Sequence, residues 1–128
     1  MHPISAQDFA LGYEFNGHRI QYEGITEVSQ GGPAIGKLFI DGNDPFPENY
    51  FSGPLLFDGQ LLFAPLLNKT LFETRFSICT INLNTLRMQI VGPKNILILL
   101  EKVENKKIYY FTNREHTKRR NIPLKQPG

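Results

Sequence analysis

Gly53-Pro-Leu-Leu-Phe-Asp-Gly-Gln-Leu-Leu-Phe-Ala-Pro65 sets two apolar runs on either side of Asp58-Gly59. Asp-Gly takes the positive φ angles of a type I′ turn at little steric cost, so the stretch reads as a β-hairpin. Residues 95–112 repeat the pattern, with two apolar runs around the charged turn Glu104-Asn105-Lys106-Lys107. Residues 71–83 lie between them and read as one long strand. Phe72, Thr74, Phe76, Ile78 and Thr80 share a face there, while Ile81 and Leu83 fall on the other. That pattern requires cover on both faces or a bulge near Thr80. Residues 86–90 follow a two-residue turn, Asn84-Thr85, with Leu86, Met88 and Ile90 inward and Gly92-Pro93 as the stop. Residues 96–100 contain no polar side chain, which predicts a central strand covered on both faces.

Working outward, Asn16-Gly17 between alternating residues is a second strong hairpin signal. Residues 25–28 continue that strand, 30–33 (Gln-Gly-Gly-Pro) break it, and 34–40 form the next strand, a third or fourth, ending at Asp41. Residues 1–10 form a short lead-in in which Ser5 and Asp8 could cap one helical turn. The expected fold is all-β, a single-domain antiparallel sandwich or strongly curled sheet of about eight to ten strands with little helix. The expected core includes Tyr13, Phe15, Ile20, Leu38, Ile40, Phe57, Leu62, Phe76, Ile78, Met88, Ile90, Ile96, Ile98 and Ile108. The β domain is expected over residues 1–112, with a basic C-terminal tail over 113–128.

The chain has 128 residues, 41% of them hydrophobic, enough for one core without staples. A single cysteine, Cys79, excludes an internal disulfide, and its place in a strand makes it a small core residue. A reduced, cytoplasmic setting is the simplest expectation. No signal-peptide pattern opens the chain, and no apolar run approaches the length of a membrane helix. The net charge is +2 but unevenly laid out. Residues 1–73 hold nine carboxylates against three cations, a net −6, and residues 74–128 hold eleven cations against three glutamates, a net +8. If the two halves occupy different regions of the fold, the field around the protein is strongly polarised.

The longest irregular stretch, residues 41–52, combines Asp41, Asp44 and Glu48 with Phe46, Tyr50 and Phe51. Carboxylates steer a partner and aromatics anchor it, so this loop is the candidate protein-binding site. In the competing structural reading, the aromatics pin the loop to the sheet. The basic C-terminal half, with Lys106, Lys107, Arg114, Lys118, Arg119 and Arg120, is the candidate nucleic-acid surface. Of the adjacent Tyr109, Tyr110 and Phe111, at most two can share a face of a strand. His18 and His116 could serve as the acid–base pair of a small nuclease if they met across a cleft. No serine sits in a nucleophile elbow and no glycine-rich phosphate loop is present. Asp41-Gly-Asn-Asp44 opens like a calcium loop but lacks its later glycine and closing glutamate. No metal and no cofactor is expected.

A small, disulfide-free β-protein with the hairpins at Phe57-Asp58-Gly59-Gln60 and Val103 to Ile108, and with the loop from Asp41 to Phe51, resembles the immunity proteins of bacterial polymorphic-toxin and contact-dependent inhibition systems. The resemblance implies a non-enzymatic protein that binds one cognate toxin and blocks its active site. Those families share no motif, so it transfers no functional residue by position. The expected partner is therefore another protein, a basic toxin domain such as a nuclease. Nucleic acid is the alternative partner, and no membrane is involved.

Overall fold

The computed structural model describes residues 13–27 and 33–124. The expected helical turn at residues 1–10, residues 30–32 of the expected strand break at 30–33 and the side chain of Tyr13 lie outside the described residues. Among the described residues the fold is all-β, with ten strands in three antiparallel sheets and no helix. The strands are β1 (Tyr13–Phe15), β2 (His18–Glu27), β3 (Ala34–Ile40), β4 (Leu56–Asp58), β5 (Leu61–Lys69), β6 (Thr74–Asn82), β7 (Met88–Asn95), β8 (Leu99–Glu104), β9 (Lys107–Phe111) and β10 (Arg119–Pro123). The sheets run β1-β2-β3, β4-β5-β6-β7 and β10-β9-β8.

The second sheet is the middle layer. On β5, Leu62, Ala64 and Leu66 pack toward Ile20, Tyr22, Leu38 and Ile40 of the first sheet. Phe63 points the other way, with Leu61 and Leu67, toward Ile98, Leu100, Ile108 and Tyr110 on the side of the third sheet. Strand β6 divides likewise, Cys79 and Ile81 to one side and Phe76 and Ile78 to the other. Cover on both faces, the first of the two options left by the residue pattern, therefore explains the apolar residues on both sides of β6. A register shift does occur in β6, between Phe76 and Ile78, opposite Gly92-Pro93-Lys94.

Turn chemistry sets the hairpins. Asn16 and Gly17 both have positive φ (48° and 81°), as a type I′ turn requires. The Asp58 hairpin differs from expectation. Asp58 pairs with Leu61, so the turn residues are Gly59 and Gln60, and only Gly59 has positive φ (61°). This is the type II′ arrangement, with glycine at the first central position. The turn after β6 is also longer than Asn84-Thr85. Asn82 Oδ1 accepts from the Asn84 and Thr85 amides, and Leu86 adopts a positive φ of 58°. Leu86 is consequently at the surface rather than inward.

Three further expectations change. Strand β7 does not stop at Gly92-Pro93 but continues to Asn95, because an outer strand can leave a proline's missing donor facing solvent. On that open edge Ile90, expected in the core, is 53% exposed. Residues 96–100 are not one central strand, since β8 begins at Leu99 and Ile96 is 70% exposed in the connection. Within the segment expected as a basic tail, residues 119–123 fold back as β10, pairing with β9 from Arg119–Phe111 to Pro123–Lys107. Its Ile122 packs into the cluster under the third sheet and lies against Gly92.

Candidate functional site

Residues 41–51 hold most of their own chemistry. Asp41 and Gly42 form a tight turn with positive φ (53° and 82°), closed by hydrogen bonds between Ile40 and Asn43. The Asp41 carboxylate accepts the Arg19 amide at 2.8 Å and meets His18 Nδ1 at 2.8 Å. The Arg19 amide first, and His18 second, hold its carboxyl below the usual carboxylate range. Asp44 Oδ2 is paired with Lys37 Nζ at 3.7 Å. Lys37 also donates to the Pro47 carbonyl and lies 5.4 Å from the centre of the Tyr50 ring.

The aromatics divide. Phe51 is fully buried and exchanges two 2.9 Å backbone hydrogen bonds with Gly36. Its neighbours Tyr50 and Ser52 bond to Leu67 and Pro65, so residues 50–52 splice the first sheet to the second between β3 and β5. Phe46 packs edge-on to Phe51 at 6.1 Å and is partly buried. Of the six candidate residues, Glu48 and Tyr50 are the ones whose side chains are exposed and not held in an ion pair, Glu48 standing in the turn that the Asn49 amide closes on the Phe46 carbonyl at 3.0 Å.

Glu48 and Tyr50 lie toward the far end of β2 from Asp41. There they line a cavity of about 450 Å³ together with Thr26, Glu27, Ile35, Leu67 and Lys69. Lys69 pairs with Thr74 on the last rung of the β5–β6 hairpin. The turn beyond that rung was not legible as a surface feature from the alternation of residues 71–83. Thr70 closes it. Its amide donates to the Glu73 carbonyl at 2.9 Å, and its Oγ1 accepts the Phe72 and Glu73 amides. The two residues at the tip, Leu71 and Phe72, are 95% and 93% exposed. The signal for this arrangement is Thr70 itself, a hydroxyl residue that can close a turn with its own side chain.

The third sheet carries the basic candidates. Tyr109 and Phe111 point outward while Tyr110 is buried between them. Burial raises the Tyr110 hydroxyl above its ordinary pKa, against the opposing effect of the Asn95 side chain. Arg119 pairs with Glu101 at 2.8 Å and stands 4.8 Å over the Tyr109 ring, where Lys102 lies at 5.3 Å. Lys106 and Lys107 are exposed at the β8–β9 turn, and Arg114 and Lys118 at the β9–β10 turn. Arg120 pairs opposite the inward Tyr110, away from the row formed by Tyr109 and Phe111.

His18 bonds Asp41 at the start of β2, whereas His116 stacks on Phe111 at 4.5 Å in the β9–β10 turn. The two histidines thus have separate partners on separate sheets. Cys79 is fully buried, and burial pushes its thiol up to about 12, which removes the thiolate needed for nucleophilic chemistry at neutral pH. Among the described residues no group of three or more His, Cys, Asp or Glu is placed to hold a metal ion. No described helix is long and apolar enough to cross a membrane. No family model, curated protein or solved structure matches the chain.

Proposed function

We propose that this chain is a non-enzymatic binding module of the immunity type, and that it holds a cognate toxin domain with the end formed by the β5–β6 tip and the adjoining cavity. The observation that carries the reading is the tip itself. Two adjacent large apolar side chains, Leu71 and Phe72, stand almost wholly in solvent on a turn closed by Thr70. A preformed apolar tip of this kind loses little conformational freedom on binding and supplies the anchor that interfaces concentrate their energy in. The cavity beside it adds specificity. Glu48 brings a carboxylate, and Lys69 an ammonium, to a wall that also holds the Tyr50 ring, so the cavity offers both signs of charge beside the apolar anchor.

The test is whether a neighbouring gene encodes a toxin domain and whether this chain protects growing cells against it. Wild-type chain should protect, and Phe72→Asp should lose protection while keeping the native circular dichroism spectrum. Absence of protection by the wild type overturns the immunity reading. Protection unchanged in Phe72→Asp moves the interface away from the tip. With the toxin domain in hand, Glu48→Lys should slow association and flatten its salt dependence, whereas Tyr50→Ala should mainly speed dissociation.

A further inference from the structure

The charge asymmetry of the chain becomes a spatial one once β10 is placed. Residues 99–124, which build the third sheet and its turns, hold seven cations against three glutamates, a net +4. The described residues before them, 13–27 and 33–95, hold six cations against eight carboxylates, a net −2. The outward row of β9 is Lys107, Tyr109 and Phe111, since Ile108 and Tyr110 are buried on the other face. Alternate residues of a strand lie about 6.6–6.8 Å apart. That is a spacing over which neighbouring unstacked bases of a single strand can each meet a ring.

The rings are held in place. Asn113 Oδ1 accepts the Thr117 and Lys118 amides, both at 3.0 Å, and this folds the β9–β10 turn so that His116 lies on Phe111 with the ring planes 9° apart. Arg119, fixed by Glu101, and Lys102, paired with Glu104 at 2.6 Å, flank Tyr109 from the two neighbouring strands. We infer that the outer face of the third sheet binds single-stranded nucleic acid, with Tyr109 and the Phe111–His116 stack receiving bases and Lys102, Lys107 and Arg119 receiving phosphates. The net +4 of residues 99–124 disfavours a second copy of the same sheet as occupant. Aromatic rings at strand spacing select unpaired bases over a smooth polyanion, because every base offers a face to stack while a duplex hides it. This surface shares no residue with the tip and cavity, so the two readings fail separately.

Fluorescence anisotropy with labelled oligothymidine and oligouridine of about 20 nucleotides tests it, with a duplex of equal length as the comparison. Both single strands should bind at about 50 mM salt and weaken about 20-fold by about 200 mM, the change expected if about three phosphates are neutralised. A preference for the uridine strand would assign a contact to the ribose hydroxyl, and equal binding would assign recognition to bases and phosphates alone. Tyr109→Ala should weaken binding about tenfold and Tyr109→Phe should restore it. Lys107→Glu, at an exposed site, gives a second variant that keeps the fold and should lower both affinity and salt slope. No binding at low salt, a duplex bound as tightly as the single strands, or a folded Tyr109→Ala that binds like wild type would each overturn the inference.

Discussion

Residues 41–51 and residues 70–73 make opposite use of what they contain. The first segment carries three carboxylates and three aromatics and turns most of them inward. Asp41 closes on Arg19 and His18, Asp44 closes on Lys37, and Phe51 disappears into the splice between two sheets. The second segment has only Thr70, Leu71, Phe72 and Glu73, yet it puts two apolar side chains into water. The difference shows that a segment's inventory of groups does not say which way they face. A loop that must cross from one sheet to another is recruited to hold them together, while a tight hairpin tip has no neighbour to pack against.

Two phenylalanines give the sharpest way to break this comparison. Phe51→Ala should cost about 3–5 kcal/mol, since it empties a fully buried site at the junction of two sheets. Urea or thermal unfolding checks it, and a cost below about 1 kcal/mol would show that the splice is not structural. The pH dependence of the first segment comes next. The Asp41 carboxyl is held down in the folded state, so its contribution to stability is present above its unfolded pKa of about 4 and is lost as pH falls through the lowered native value. Asp41→Asn keeps an acceptor for the Arg19 amide and tolerates the positive φ. The variant should therefore lose less stability than wild type between about pH 5 and pH 2, read as the urea midpoint at each pH. An identical slope in both proteins would mean that the turn is indifferent to the charge. The smallest effect is expected at the tip. Phe72→Ala should change stability by no more than about 0.5 kcal/mol, because the side chain is 93% exposed. A large loss there would mean that the tip is packed and not a free anchor.

The hairpins were legible because their signals are local. Asn16-Gly17 takes two positive φ angles whatever the rest of the chain does, and alternation around it fixes which side chains of β2 face in. The all-β class follows from several such units in succession. Residues 71–83 show where locality ends. The period-two pattern runs on through Phe72 without a break and so reads as a strand from Leu71, but the Thr70 hydroxyl holds residues 70–73 in a turn and β6 begins three residues later, at Thr74. In the same way, Ile96 belongs by composition to a buried strand and by position to a connection between sheets.

The candidate binding residues were less legible than the fold. Glu48 and Tyr50 could be picked from composition, but not the cavity they share with Lys69, a residue 19 positions beyond Tyr50 in the chain. The basic residues 119 and 120 read as one run, whereas their pairing on β10 sends Arg119 toward Tyr109 and Arg120 away from it.

Local patterns in the chain are enough for the all-β class, most hairpin positions, the buried state of Cys79 and the separation of negative from positive charge along the chain. These depend on turn stereochemistry, period-two burial and counts of charge, all of which act over a few residues or need no geometry. The packing of sheet on sheet settles that Phe51 is a splice and Phe72 a free tip, that residues 119–123 form a strand, and that Tyr109, Phe111 and Arg119 meet on one face. Those outcomes depend on which strands lie side by side, and that is set by burying both faces of β5 and β6 at once, a requirement that no single stretch of the chain can meet alone.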